Sequence, residues 1–226
     1  MKTNIIVSEK SWNQSLIKEL TKKIDSYNWI LINQKSNFNS KYLNDFNIEK
    51  IFIPHWSYII DEDIYEKYEC IVFHMTDLPF GRGGSPLQNL IVRKMYDTKV
   101  SAIKVQKGID TGDIYLKEDL NLEGSATEIF KRANEIIKKM IIEILEDKLT
   151  PYPQKGEVIK FKRRKPEDSN MKGLIDLISI YDYIRMLDAD GYPKAFIENE
   201  HFKFEFFKAS FKKGEEVRAE VIITKK

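Results

Sequence analysis

Residues 69–91, ECIVFHMTDLPFGRGGSPLQNLI, contain the pattern of a strand, a rigid loop and a helix in one continuous stretch. The short apolar run from Glu69 to His74 predicts a buried strand that ends at the histidine. Three glycines and two prolines then fall within eight residues, a clustering that constrains the backbone of a loop. Pro86 is placed as a first-turn residue of the helix that follows. The stretch therefore predicts that His74, one of three histidines in the chain, lies at the mouth of a rigid loop.

The residues before this stretch repeat the alternation of strand and helix. Asn4–Val7, Trp29–Ile32 and Lys50–Pro54 have the short apolar character of buried strands, and Ser8 or Ser11 is a candidate N-cap of the first helix. Such alternation is typical of an α/β fold, here a Rossmann-like open sheet that is mostly parallel and has helices on both faces. Ligands of these sheets bind at the carboxyl ends of the strands, where the histidine is placed.

The residues after the glycine loop extend the sheet and add a smaller unit. Val100–Val105 predicts a further strand, and Ser125 opens a capping box ahead of a long amphipathic helix. Over residues 202–207 phenylalanines alternate with polar residues, which predicts a small C-terminal antiparallel β subdomain. We expect three parts: a Rossmann-like domain over 1–150, a basic connector over 151–178, and a helix with an antiparallel sheet over 179–226.

Composition limits the possible classes of function. The 226 residues are 42% hydrophobic, enough for a real core, and no apolar run approaches the roughly 18 residues that cross a bilayer. The 37 Lys and Arg side chains nearly balance the 35 Asp and Glu, so no general field favours nucleic acid or a membrane surface. Cys70 is the one cysteine, which excludes an internal disulfide and a multi-cysteine metal site. We expect a cytoplasmic protein that uses no metal.

A second loop carries carboxylates that could serve the histidine. Residues 106–113, QKGIDTGD, follow the strand that ends at Val105 and include Asp110. A carboxylate beside an imidazole fixes its tautomer and stabilises its cationic form. Such a pair suits a transfer in which an oxyanion forms and an amine loses a proton. Spacing alone leaves a simpler interpretation open, in which each loop is a surface crossing and the histidine only packs nearby.

Taken together, the two loops resemble the folate-dependent formyltransferases. The first has the pattern H-x-x-x-L-P-x-x-R-G-x-x-P from His74 to Pro86, and the second has G-I-D-T-G-D from Gly108 to Asp113. The likeness is close over about residues 50–120 and follows the first β-α-β unit in outline. The stretches HWSYI, FHMTDLPFGRGGSPLQNLI and YIRMLDADGYPKAF are similar to the sugar N-formyltransferase branch, including enzymes of pseudaminic-acid-type pathways, a branch related to methionyl-tRNA formyltransferase.

This resemblance implies a donor and a set of site residues. The donor is N10-formyltetrahydrofolate, and a primary amine of the acceptor attacks its formyl carbon. His74 would hydrogen-bond the oxyanion or pass the proton, and Asp110 would orient and charge that histidine. Arg82 is expected to brace the turn. The two loops would contact the folate through seven residues: Leu78, Arg82, Gly83, Gln106, Lys107, Gly108 and Ile109.

Val72 departs from the pattern of the family. Formyltransferases place an asparagine two residues before the histidine, and its amide helps to form the oxyanion site. A valine side chain cannot donate a hydrogen bond, and loss of one such donor costs about 2.7–4 kcal/mol of transition-state stabilisation. We expect Gln88 or Asn89 on the following helix to supply the missing amide. A non-catalytic folate- or nucleotide-binding protein is the alternative.

The acceptor is judged from residues outside the two loops. Glycinamide ribonucleotide would need a glycine-rich phosphate-binding turn, and residues 1–40 contain no glycine. Initiator tRNA would call for a long basic C-terminal domain, whereas this tail is mixed in charge. The expected acceptor is therefore a nucleotide-linked amino sugar, such as a UDP-4-amino-4,6-dideoxy sugar used for surface glycans. Its predicted contacts are Lys10, His55, Trp56 and Tyr192.

Two further possibilities concern partners. The basic run over residues 160–165, KFKRRK, could bind RNA, but it contains a single aromatic residue and the net charge of the chain is only +2. A homodimer through the apolar C-terminal strands is the second possibility, and the sequence does not decide it.

Overall fold

The computed structural model describes residues 1–10 and 13–226 of the chain. Its strands are β1 Thr3–Ser8, β2 Asn28–Ile32, β3 Ile48–His55, β4 Cys70–His74, β5 Phe80–Gly83, β6 Asp97–Lys104, β7 Ile114–Asn121, β8 Ile159–Phe161, β9 Ala195–Glu198, β10 Phe202–Lys212 and β11 Glu216–Lys225. Its α-helices are α1 Gln14–Lys23, α2 Ser40–Leu43, α3 Glu62–Tyr65, α4 Pro86–Val92, α5 Ala126–Glu146 and α6 Leu177–Arg185.

A six-stranded sheet in the order β2-β1-β3-β4-β6-β7 forms the centre of the fold. β1 pairs in parallel with β2 and β3, and β3 pairs in parallel with β4. β4 and β6 are antiparallel, with His74 opposite Ser101. The predicted α/β fold with a mostly parallel sheet is confirmed, and the carboxyl ends of β1, β3 and β4 lie along one edge of the sheet.

Burial of β1 explains why the centre of the strand, residues 5–7, is a continuous apolar run. All six of its residues are buried. Ile5 and Val7 pack into one cluster with residues of β2 and β3, while Ile6 points to the opposite face and is also fully buried. Burial on both faces is the expected environment of an interior parallel strand. Within the described ranges no helix is long and apolar enough to cross a membrane.

The described chain divides into two compact units made of separated segments. The first comprises Met1–Arg82, Thr98–Leu120 and Lys131–Lys160, and the second comprises Gly83–Asp97, Asn121–Phe130 and Phe161–Lys226. The first unit holds most of the central sheet, and the second holds α4, α6 and β9 to β11. The sequential boundaries that the sequence suggests, at residues 150 and 178, stay a prediction.

Within the second unit, β9, β10 and β11 form an antiparallel sheet in the order β11-β10-β9. Helix α6 packs against β10, where Tyr181 stacks on Phe211 with ring centroids 5.4 Å apart. Arg185 is buried, bonds Asp182 at 2.7 Å, and donates to two backbone carbonyls of residues 122 and 124. The predicted antiparallel subdomain is confirmed.

Helix ends show where local signals were sufficient. The capping box at α5 is present: the Ser125 N–H donates to Glu128 Oε2 at 2.8 Å, and the Glu128 N–H donates to Ser125 Oγ at 3.4 Å. α4 ends at Val92, because Lys94, two residues later, adopts a left-handed φ of 61° that stops a helix. α1 begins at Gln14. Of its two proposed caps, Ser8 is the last residue of β1, and Ser11 lies outside the described residues.

Candidate active site

His74 is the last residue of β4 and is buried, with 7% of its surface exposed. Its Nε2 lies 2.8 Å from the carbonyl oxygen of Gly81 in the loop that follows. Gly81 has a φ of +80°, a left-handed conformation that glycine adopts without steric cost and that other residues rarely adopt. The glycine loop therefore folds back and holds one edge of the imidazole, which explains why a rigid loop follows this histidine.

Asp110 lies in the loop between β6 and β7 and has a φ of +52°, which Asp tolerates better than most residues. Gly112, two residues later, approaches β6 so closely that a Cβ would lie 1.6 Å from the carbonyl oxygen of Lys104. The Lys104 N–H also donates to the Asp113 carbonyl at 2.9 Å. The glycine of D-T-G-D is therefore required for the loop to close against the end of β6.

The two loops place an imidazole and a carboxylate side by side. His74 Nδ1 lies 3.5 Å from Asp110 Oδ2, and the Asp110 side chain is only 16% exposed. Both ring nitrogens thus face oxygen atoms, the Gly81 carbonyl on one side and the carboxylate on the other. A separation of 3.5 Å is longer than a good hydrogen bond. The pair can donate a hydrogen bond and relay a proton at one position.

A third side chain, Gln154, joins the two loops, and sequence reasoning missed it. Its Nε2 donates to the carbonyls of Asp110 at 2.9 Å and Gly112 at 2.7 Å. Its Oε1 accepts two hydrogen bonds from the Arg82 guanidinium, at 3.1 and 2.8 Å. Arg82 therefore braces the turn through Gln154, as part of a link from the histidine loop to the aspartate loop. The only local signal is a polar amide just after Pro153, which gives no direction.

The residues predicted to contact folate lie in two different environments. Gln106–Ile109 are exposed, and 66% of the surface of Ile109 is open to solvent. Leu78 is fully buried against Ile103 and Ile114, and its side chain belongs to the core. Gly83 is half-buried in β5, and a Cβ there would lie 2.3 Å from a backbone oxygen, which gives this glycine a structural reason. Their contacts with folate stay predictions.

The amides expected to replace the missing asparagine are bound elsewhere. Gln88 is buried and donates to the Met186 carbonyl at 3.0 Å. Asn89 is also buried, and its amide lies 2.9 to 3.1 Å from three backbone carbonyls, those of Gly84, Ser85 and Lys162. Both side chains stabilise the second unit, which contradicts the expectation that they complete an oxyanion site. Val72 itself is half-buried and packs against two apolar clusters.

Lys10 and His55 are two of the predicted substrate contacts. Lys10 follows the end of β1, and His55 is the last residue of β3. The register of these strands pairs Ser8 with His55. Asn13 Nδ2 donates to Ser8 Oγ at 2.8 Å and lies 3.4 Å from His55 Nδ1. Burial, with a smaller contribution from the charge of nearby Lys10, lowers the pKa of His55 to about 4. His55 is therefore neutral near pH 7, so of the two only Lys10 can offer a positive charge to a phosphate.

The aromatic side chains expected to contact the acceptor are both packed on other rings. Trp56 meets Phe38 edge-on, with centroids 5.6 Å apart, and Tyr58 at 5.1 Å. Tyr192 belongs to the second unit, where its ring stacks on Phe130 at 5.4 Å. Burial raises the pKa of Tyr192 to about 12, against the opposing charge of Arg163. Their contacts with an acceptor stay predictions.

The one cysteine has no chemical role at this site. Cys70 begins β4 and is 1% exposed, and burial raises the pKa of its thiol to about 12. A thiol that stays protonated is a poor nucleophile and a poor metal ligand. Among the described residues, no three His, Cys, Asp or Glu side chains gather as a group that could hold a metal ion.

Comparison with known proteins identifies the family. A structure described as a methionyl-tRNA formyltransferase from Clostridium thermocellum is 50% identical over 100% of both chains, with a TM-score of 0.96. Residues 166–224 match the family model for the methionyl-tRNA formyltransferase C-terminal domain. This chain belongs to the formyltransferase family.

Two more distant structures share the fold. HypX from Aquifex aeolicus in complex with tetrahydrofolic acid is 16% identical and has a TM-score of 0.72, over 91% of this chain and 37% of that one. A sugar N-formyltransferase from Shewanella sp. FDAARGOS_354 is also 16% identical, with a TM-score of 0.69 over 88% of this chain and 94% of that one. At such identity the likeness establishes the fold alone.

Curated relatives match only part of their own length. A methionyl-tRNA formyltransferase from Rickettsia typhi is 32% identical over 128 residues, which is 54% of this chain and 42% of that protein. The chain thus aligns with less than half of these relatives.

Proposed function

We propose that this chain transfers a formyl group from N10-formyltetrahydrofolate to a primary amine, with His74 and Asp110 at the reacting centre. The observation that carries the proposal is the 3.5 Å contact between His74 Nδ1 and Asp110 Oδ2 at the carboxyl end of β4. Membership of the formyltransferase family agrees with this chemistry. So does the fold shared with a protein that was solved with tetrahydrofolic acid.

The roles of the two residues follow from their geometry. The acceptor nitrogen forms a bond to the formyl carbon, the bond from that carbon to N10 breaks, and the proton lost by the amine ends on N10. Negative charge develops on the formyl oxygen, so a positioned N–H donor lowers the barrier. His74 Nε2, now directed at the Gly81 carbonyl, is the donor that this oxygen would recruit. Asp110 keeps the ring in place through Nδ1.

The loop Gln106–Ile109 is the proposed contact for the pterin ring. These four residues are exposed, and main-chain N–H and C=O groups suit a heterocycle that carries both donors and acceptors. Thr111 Oγ1 donates to the Lys107 carbonyl at 3.0 Å, and Gln106 Nε2 donates to the Thr111 carbonyl at 3.1 Å. Because these bonds are internal to the loop, its shape exists before a ligand arrives, which reduces the cost of binding.

For the acceptor we propose a nucleotide-linked amino sugar, such as a UDP-4-amino-4,6-dideoxy sugar for surface glycans. A sugar N-formyltransferase has the same fold. At the ends of β1 and β3, Lys10 offers a charge for a diphosphate and neutral His55 offers a hydrogen-bonding group. Trp56 follows His55 in the chain, and Tyr58, which is 41% exposed, packs on Trp56 and offers an aromatic surface suited to a base.

Methionyl-tRNA is the second candidate acceptor, because the structure that is 50% identical bears that description. The charge of the C-terminal region argues against it. Residues 166–224 contain twelve Asp and Glu side chains against eight Lys and Arg. Affinity for a nucleic-acid backbone comes mainly from Lys and Arg that neutralise phosphates, so a net acidic region contributes little.

The test supplies the purified chain with N10-formyltetrahydrofolate and, separately, each of the two acceptors. Product is followed by mass spectrometry and folate release by absorbance. We expect formylation of the amino sugar at a rate that moderate salt changes little. Formylation of methionyl-tRNA alone would contradict the proposed sugar acceptor and establish methionyl-tRNA in its place. Folate binding without transfer to either amine would replace the proposed enzyme with a binding protein.

A further inference from the structure

Strand β11 lies at the edge of the C-terminal sheet. It is ten residues long, and in the part of the chain that the structure describes β10 is its only strand neighbour. An edge strand presents a row of backbone N–H and C=O groups that can pair with another strand. β11 contains no proline, and the one register shift in its pairing with β10 adds a residue on the β10 side, between Phe207 and Ser210. Prolines and bulges in an edge strand are two devices that commonly block such pairing.

One face of the sheet is apolar near this edge. The register places Phe204 opposite Ile223 and Phe206 opposite Val221, so these four share one face of the sheet. Val221 is 45% exposed and Ile223 is 57% exposed. Helix α6 packs on this face near Phe211, whereas the other end of the face is partly open to solvent at Val221 and Ile223. The open end of this face reaches the unpaired edge.

The sequence of β11 is complementary to itself. Residues 217–221 read VRAEV. When two such strands pair antiparallel about Ala219, each Val217 meets a Val221 and each Arg218 meets a Glu220. We propose that β11 pairs with β11 of a second copy in this register and joins the two three-stranded sheets into one of six strands.

Charge selects this register over its neighbours. Directly opposed side chains in a sheet lie on the same face. The two-fold axis of a symmetric antiparallel pair therefore passes beside a residue that faces its own copy, and alternative registers differ in which residue this is. A centre at Arg218 sets two arginines against each other, and a centre at Glu220 does the same with two glutamates. Opposed like charges are destabilising, while opposed unlike charges stabilise a pair. Only Ala219, between them, brings both charges to a partner of opposite sign.

Within one chain, Arg218 and Glu220 form exposed ion pairs that can be broken at little cost in stability. Arg218 is bonded to Glu216 at 2.6 Å and its side chain is 77% exposed. Glu220 is bonded to Lys208 at 3.0 Å and is 56% exposed. Exposed ion pairs of this kind contribute little to stability, so exchanging them for contacts across the edge is nearly neutral.

Charge reversal tests the register. Arg218→Glu and Glu220→Arg each turn two attractive contacts into two repulsive ones, which we expect to weaken the dimer at least about tenfold. An equimolar mixture of the two variants restores complementarity and should form a heterodimer. The double variant Arg218→Glu/Glu220→Arg should dimerise like the native chain. Mass is measured by analytical ultracentrifugation over a range of concentrations, and circular dichroism checks that each variant is folded.

Cysteine cross-linking gives an independent measurement. Side chains directly opposite each other have Cβ atoms about 4.5–5.5 Å apart, so Ala219→Cys should form an intersubunit disulfide under mild oxidation. Thr224→Cys is the control on the same strand, because in this register the two copies of residue 224 lie about 30 Å apart. Native Cys70 is buried and should not react. A native chain that stays monomeric, dimers that ignore both charge reversals, or cross-linking through residue 224 but not 219 would overturn the proposal.

Discussion

Gln154 offers the sharpest perturbation of the candidate site, because its amide links two loops without contacting His74. We consider two variants, Gln154→Ala and Gln154→Glu. The alanine variant removes both the donor to the aspartate loop and the acceptor for Arg82. The glutamate variant keeps the size of the side chain and the acceptor for Arg82 but cannot donate to the carbonyls of Asp110 and Gly112.

The magnitudes follow from the bonds that each variant loses. Two donated bonds of 2.9 and 2.7 Å to neutral carbonyls are worth about 0.5–1.5 kcal/mol each. The bonds from the Arg82 guanidinium involve a charged group and are worth about 1.5–3 kcal/mol. The site is only partly buried, so water replaces some of these hydrogen bonds in the variant. We therefore expect Gln154→Ala to lower the free energy of unfolding by about 2 kcal/mol. Gln154→Glu should be less destabilised, since Arg82 keeps its acceptor.

Activity should separate from stability. Both variants free the aspartate loop, and a displacement of about 1 Å at a catalytic group can cost 100-fold in rate. We therefore expect kcat/KM for formyl transfer to fall about 100-fold in both, although their stabilities differ. Urea denaturation gives the free energy of unfolding. Steady-state assays with whichever of the two candidate acceptors the native chain formylates give kcat and KM. The reasoning is refuted if Gln154→Glu keeps native kcat/KM, because Gln154 would then only support Arg82.

Two further predictions concern glycine contact and pH. Gly112→Ala should lower the free energy of unfolding by about 3 kcal/mol or more, because its Cβ would lie 1.6 Å from the Lys104 carbonyl oxygen. Gly173→Ala is the control and should change stability little, because nothing lies within 4 Å of its Cβ. Urea denaturation compares the two variants, and equal midpoints would contradict the contact at Gly112. His55 has a pKa of about 4 in the fold against its ordinary value of 6.5, so the unfolded chain binds a proton more readily at this residue. Stability therefore falls as pH drops from about 6.5 towards 4. His55→Gln should remove about 2 kcal/mol of the change in unfolding free energy between pH 7 and 5, and an unchanged pH slope would show that His55 is not buried neutral.

The strands could be predicted from the sequence because their signals are local. The apolar runs of β1 and β4 mark buried strands, and the capping box at Ser125 marks the start of α5. The antiparallel direction of β6 could not be predicted in the same way. Its apolar run has the same character whichever way the strand runs, and the direction depends on how residues 75–96 cross the sheet.

The site divides along the same line. His74 and Asp110 were found because each follows a strand and carries a motif that resembles a known family, and the structure places them in contact. Gln154 lies 44 residues from Asp110, and its role depends on two backbone carbonyls that no sequence pattern displays. The prediction for Asn89 was wrong for a different reason. Its position suggested a free amide, but the folded chain directs that amide to backbone carbonyls of its own unit.

The most direct test of the central claim is the rate of formyl transfer in a single turnover by His74→Ala and Asp110→Ala. Both side chains are largely buried but lie at the end of a strand, so each variant must first show a native circular dichroism spectrum and a cooperative unfolding transition. The account predicts that transfer is abolished in both while the chain stays folded. Transfer near the native rate in either folded variant would show that this histidine and this aspartate do not carry the reaction.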